Sequence, residues 1–113
     1  EENIRFAREC GACDTVIPAS DTIVESCGGE YISGIPDRKI MFQGQTPQSF
    51  KAKRLRELYE SLTDEEKEVL TDACKICVLK KERVHLVDGE VSNIKITYPH
   101  DLRVAEAILG GKR

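Results

Sequence analysis

The chain has 113 residues, 40% of them hydrophobic and 33% charged, with a formal net charge of −3. That length suits one small domain with a modest core. The acidic balance disfavours general attraction to nucleic-acid phosphates or an anionic membrane. No apolar run approaches the roughly 20 residues a membrane-spanning helix needs, and no signal-peptide pattern is present. The expectation is a cytoplasmic protein, with neither nucleic acid nor membrane as partner. Five cysteines form an odd set, which fits reduced thiols better than a disulfide framework.

In chain order, Ile4, Ala7 and Cys10 predict an amphipathic helix over residues 1–10, with Gly11 as its left-handed C-terminal residue. The absence of an initiator Met before that helix leads to the expectation of a piece of a longer protein. Asp14–Ala19 reads as a buried strand, interrupted near Pro18. Thr22–Ser26 and Glu30–Ile35 read as two strands joined by a Cys27-Gly28-Gly29 turn, a projecting hairpin over about residues 20–38. A lone hairpin is marginal in water, so it is expected to pack on something, a second subunit being the common case.

Ile40–Phe42 predicts a short strand that stops near Pro47, which has no N–H to donate. Ser49 is the expected N-cap of the next helix, whose apolar side is Phe50, Leu55, Leu58 and Leu62. This reading leaves Thr46 at a strand end facing a helix N-terminus, where anions are favoured. Lys51, Lys53, Arg54 and Arg56 read as a solvated helix face. Thr63 and Glu66 form a capping box, and Thr71-Asp72 is a candidate restart before the apolar set from Ala73 to Leu79. Arg83–Val87 and Asn93–Thr97 alternate as strands, with Lys95 on the face opposite Ile94 and Ile96. Pro99 and Asp101 open a last helix whose expected buried stripe is Leu102, Ala105, Ile108 and Leu109, ended by Gly110-Gly111. The whole is mixed α/β, treated as one domain over residues 1–113.

Cys10-x2-Cys13 and Cys74-x2-Cys77 invite a zinc reading. About sixty residues separate the pairs, whereas zinc ribbons space them by roughly 15–20. The second pair also lies within a helical apolar pattern, where Cys serves as a small hydrophobe. His85 and His100 have no evident nucleophile beside them. No glycine set fits GxGxxG or GxxxxGK. Lys95, Thr46 and Arg38 remain as donors suited to a phosphate near a sheet end.

Several runs of residues are more specific than this chemistry. Val16-Ile17-Pro18-Ala19-Ser20-Asp21-Thr22-Ile23, Arg38, Gln45-Thr46-Pro47-Gln48-Ser49-Phe50, Thr71-Asp72-Ala73 and Asn93-Ile94-Lys95-Ile96-Thr97 with Pro99 and Asp101-Leu102 span nearly the whole chain. In order and spacing they resemble the C-terminal half of the sugar-alcohol-phosphate cytidylyltransferases. Phe42-Gln43-Gly44-Gln45 and Leu70-Thr71-Asp72-Ala73-Cys74-Lys75-Ile76 resemble the ribitol-5-phosphate branch more than the 2-C-methyl-erythritol-4-phosphate branch.

The resemblance implies the C-terminal portion of a Rossmann-like nucleotidyltransferase fold with a projecting β-hairpin arm. It implies CMP transfer from CTP to a polyol phosphate, ribitol 5-phosphate first, with pyrophosphate released and Mg2+ held by ligands outside this chain. The ribitol product would serve teichoic acid and other cell-wall synthesis; the methylerythritol alternative would serve isoprenoid synthesis. By position, Lys95 is the implied catalytic residue. Lys95 and Thr46 would hold the acceptor, and Thr22 and Arg38 would reach a neighbouring subunit's site from the arm of a homodimer. The family's Gly-rich loop, CTP-binding Lys and Arg and metal-binding Asp have no counterpart here, so this piece alone is expected to be inactive. A non-catalytic dimerisation module is the reading from another class.

Overall fold

The computed structural model describes residues 1–111. Three strands form its sheet in the order β2-β1-β3, with β1 antiparallel to β2 and parallel to β3. The central strand β1, Ala12–Pro18, follows helix α1, Glu2–Cys10, after one residue. That residue is Gly11, at φ +92°, and its N–H closes the helix on the Ala7 carbonyl. The left-handed conformation there explains a glycine at this position.

Alternation along β1 sends successive side chains to opposite faces. Cys13 joins Ala7 of α1 and Val87 of β3, His85–Asp88, with Phe6 packed on them. Ala12, one residue earlier, joins Leu58, Leu62, Ile76 and Cys77. Leu58 comes from α2, Ala52–Glu60, and Ile76 and Cys77 from α4, Ala73–Leu79. The sheet is therefore covered on both faces, which is why β1 is buried almost throughout rather than on alternate residues. Between α2 and α4, the short helix α3, Asp64–Glu68, opens with the expected capping box: Thr63 Oγ1 accepts from Glu66 N–H, and Glu66 Oε1 accepts from Thr63 N–H. Asp72 caps α4 by accepting from Lys75 N–H.

Four expectations fail. First, β2 does not stop at Pro47; it runs Phe42–Phe50 and pairs with β1 at both ends. Asp14 pairs with Gln48 and Val16 with Gly44, so Thr15 alone faces Gln45, Thr46 and Pro47. Such a bulge tolerates proline because its residues owe no ladder hydrogen bond. Ser49 is thus a paired strand residue opposite Cys13, and Lys51 is the helix N-cap, without a side-chain bond. Secondly, Asn93–Thr97 is a loop.

Thirdly, the hairpin over residues 20–38 has no regular strands. It is an excursion closed at its base by Ala19 N–H donating to Met41 O at 3.0 Å and bridged once, between Glu25 and Gly34. Ser26 and Ser33 hydroxyls hold its tip, and Gly29 turns it at φ +78°. Serine side chains here satisfy backbone groups that a ladder would otherwise use. Fourthly, α5, Pro99–Gly111, leaves Leu102 and Leu109 more than half exposed. Its expected stop at Gly110-Gly111 falls at the limit of the described residues.

Among the described residues, no helix is long and apolar enough to cross a membrane.

Candidate functional site

The bulge in β2 is a place where the backbone cannot satisfy itself. A carbonyl without a ladder partner needs another donor. Thr15 supplies one: its buried hydroxyl donates to Pro47 O at 2.7 Å. Asn3 of α1 supplies a second, its Nδ2 lying 3.1 Å from Pro47 O and 3.0 Å from Thr15 Oγ1. Thr15 points to this side because it shares its strand face with Cys13, the face that α1 covers. The neighbouring carbonyl, Thr46 O, accepts from Asn93 Nδ2 at 2.7 Å.

Those contacts place the loop that carries Lys95. Gln45, also in the bulge, donates from Nε2 to Glu90 O at 2.8 Å and to Asn93 O at 3.1 Å. Side-chain amides thus hold residues 90–93 beside β2, in place of the strand that the alternating pattern suggests. On the far side of Lys95, Asp101 Oδ2 accepts from the N–H groups of Thr97 and Tyr98 at 2.9 and 2.8 Å. The Tyr98 and Thr97 backbone donors hold the Asp101 pKa below the ordinary carboxylate value. Lys95 therefore sits in a short loop pinned at both ends.

A cavity of about 310 Å³ results, lined in part by Thr46, Gln48, Asp72, Asn93 and Lys95. Of the residues implied to bind substrate, Thr46 and Lys95 meet here. Thr22 and Arg38 do not. Thr22 is exposed. Arg38, in a single 3₁₀ turn with Lys39 and Ile40, donates to Ser20 O at 3.0 Å. The sequence pattern puts Thr46 at a strand end and Lys95 on a strand face; the bulge and the pinned loop bring them together instead. It assigns no role to Gln48, Asn93 or Thr15. A proline within a stretch that pairs on both sides is the one signal that points to the bulge.

Behind the cavity lies Asp14, on the β1 face toward α4. Burial raises its pKa above the ordinary carboxylate value, the Gln48 side chain opposes that shift, and the Asp72 carboxylate adds to it. Its Oδ1 has no hydrogen-bond partner. Cys74 is pushed up to about 12, first by burial and then by the Asp14 and Asp72 charges. It is a protonated core thiol, with no nucleophilic character at neutral pH. Cys10 and Cys27 are exposed, while Cys13 belongs to the α1 side of the sheet and Cys77 to the α2–α4 side. Among the described residues, no three His, Cys, Asp or Glu side chains are grouped to hold a metal. No metal cage built from protein ligands alone is therefore present among the described residues.

Comparison with known proteins gives one family model, IspD, 2-C-methyl-D-erythritol 4-phosphate cytidylyltransferase, which matches residues 2–111. Among solved structures, the chain is similar to the 2-C-methyl-D-erythritol 4-phosphate cytidylyltransferase of Thermus thermophilus, at 32% identity and TM-score 0.76, over 93% of this chain and 51% of that one. It is also similar to the 4-diphosphocytidyl-2C-methyl-D-erythritol synthase of Anaerococcus prevotii, at 30% identity and TM-score 0.78, over 96% and 50%. The Francisella tularensis enzyme, at 19% identity, shares the fold with TM-score 0.80 over 94% and 52%. The chain thus spans about half the length of these structures. The names of these structures refer to methylerythritol, and none refers to ribitol. That corrects the preference drawn from the motif wording: the comparisons favour the methylerythritol alternative.

Asp14 gives a pH test. Its folded pKa lies above the unfolded value, so the stability it contributes is full below about pH 3.8 and is lost as pH rises through the folded pKa. Asp14→Asn removes that loss. Urea unfolding at a series of pH values should show the variant gaining on the parent between about pH 4 and neutrality. A difference that stays constant with pH contradicts the assignment.

Proposed function

The chain belongs to the 2-C-methyl-D-erythritol 4-phosphate cytidylyltransferase family, and on that premise we propose that it is the acceptor-binding and dimerising C-terminal half of a transferase that moves CMP from CTP to 2-C-methyl-D-erythritol 4-phosphate. The observation that supports this most directly is the cavity shared by Thr46 and Lys95. An oxygen of the acceptor phosphate attacks the α-phosphorus of CTP. The new P–O bond forms as the bond to the β-phosphate breaks, and pyrophosphate leaves with the electron pair. Two anions must approach each other for this to happen. The Lys95 ammonium offsets their repulsion and fixes the attacking phosphate in line, while the Thr46 hydroxyl supplies a second, directional donor.

CTP-binding groups and the ligands of Mg2+ lie outside this chain in this reading, so the 113-residue piece alone turns over no CTP. Thr22 and Arg38 serve the site of a second copy, reached through the arm at residues 20–38. Two features favour that arrangement. Neither residue lines its own chain's cavity, and the arm exposes Tyr31, Ile32 and Ile35 at 60% or more, apolar surface that a partner would cover.

Pyrophosphate release by the full-length protein with CTP tests the acceptor. Methylerythritol 4-phosphate should be used in preference to ribitol 5-phosphate, and Lys95→Ala should lower kcat/KM for it about 10²–10³-fold. Preference for ribitol phosphate would overturn the choice of acceptor, and no release with either would favour a non-catalytic dimerisation module.

A mixing experiment tests the shared site. Lys95→Ala and Arg38→Ala proteins, each impaired alone, should recover about a quarter of parental activity when subunits are exchanged, because half the dimers then hold one intact site. No recovery would place Arg38 in its own subunit's site or in none.

A further inference from the structure

The cavity carries opposite charges on its walls. Lys95 is the cation among its lining residues and Asp72 the carboxylate, with amides and hydroxyls from Gln48, Asn93, Thr46 and Thr71 between them. A phosphate drawn to Lys95 is repelled by Asp72. A hydroxyl is not: an ionised carboxylate only accepts hydrogen bonds, and a hydroxyl donates one. A molecule that bears a phosphate at one end and hydroxyls at the other satisfies both walls in one orientation.

Asp72 is also held still. Its Oδ1 accepts from Lys75 N–H at 3.0 Å, and its Oδ2 accepts from Gln48 Nε2 at 3.0 Å. The second brace comes from β2, beside the bulge, rather than from the helix that Asp72 caps. Each carboxylate oxygen keeps a further lone pair. The Gln48 side chain also lowers the Asp14 pKa against the effect of burial, so it favours the charged form of a second carboxylate beside the one it braces. A volume of about 310 Å³ lies at the lower end of small-molecule cavities, the size for a short polyol phosphate rather than a nucleotide.

We infer that Asp72, braced by Gln48, binds the hydroxyl groups of the acceptor across the cavity from a phosphate held at Lys95. Asp72 is then a specificity-determining residue and Gln48 a positioning residue. The ligand class is a phosphomonoester of a short polyol. The inference rests on the reading that this cavity takes the acceptor.

Calorimetric titration of the full-length protein, with methylerythritol 4-phosphate and separately with inorganic phosphate, tests it. Asp72→Asn keeps a good N-cap side chain but turns a charge-assisted acceptor into a neutral one. Affinity for the polyol phosphate should fall about tenfold, whereas affinity for inorganic phosphate should stay the same or rise, since a repelling charge has gone. Asp72→Ser, also a good cap, should behave alike and replaces the Asn variant if that does not fold. Gln48→Leu should give a smaller loss for the polyol phosphate alone. Unchanged polyol-phosphate affinity in both Asp72 variants, or an equal loss for both ligands, overturns the inference. A protein that binds the polyol phosphate through Asp72 yet releases no pyrophosphate with CTP overturns the transferase reading and leaves this one standing. One that binds neither ligand overturns both.

Discussion

Two orphaned carbonyls organise the molecule. The bulge opposite Thr15 takes Thr46 and Pro47 out of the β1–β2 ladder, and their carbonyls take side-chain donors in place of ladder partners. Three segments distant in sequence converge to supply the donors. Thr15 comes from the central strand, Asn3 from the first helix, and Asn93 from the loop before the last helix. Satisfying the strand's backbone therefore also assembles the cavity, because Asn93 lies two residues from Lys95 and Thr46 is itself part of the bulge. Residues 93–97 pair with no strand of the described sheet. Their position depends on side-chain amides and on the Asp101 carboxylate.

The electrostatics follow the same plan. Asp14 and Asp72 lie close enough that, beyond the effect of burial, Asp72 raises the Asp14 pKa and both raise that of Cys74. Gln48 donates to Asp72 and lowers the Asp14 pKa. Lys95, which lines the same cavity as Asp72, has no ion-pair partner among the described residues. An exposed cation left unpaired costs folding little and leaves an imbalance of charge that an anion can fill. The proposed transfer reaction uses that imbalance: positioning and charge neutralisation, rather than covalent chemistry by the protein, lower the barrier between two phosphates.

Much of the helical framework is legible in the sequence because its signals are local. Gly11, the Thr63–Glu66 box and the Asp72 cap each depend on residues within one turn, and each stands where its pattern places it. The site is legible only in its residue types. Pro47 reads locally as the end of a strand, yet β2 passes through it because pairing on either side, Ser49 with Cys13 and Gly44 with Val16, outweighs the local break. Asn93–Thr97 alternates like a strand, yet the polar residues of the bulge hold it as a loop. The arm over residues 20–38 has the glycines of a hairpin but too few apolar residues to pair as one, and a single bridge is what forms. In each case a long-range contact outweighs a short-range pattern, and such contacts leave no mark at fixed spacing.

Thr15→Val in the full-length protein tests most directly whether the bulge builds the site. Valine keeps the shape and removes the hydroxyl that donates to Pro47 O. The account predicts a rise in acceptor KM of about tenfold or more, as expected for a small misplacement of Thr46 and the Lys95 loop, with the KM for CTP unchanged. An unchanged acceptor KM in a folded variant would show that Thr46 and Lys95 hold their places without the bulge network, and would contradict the account.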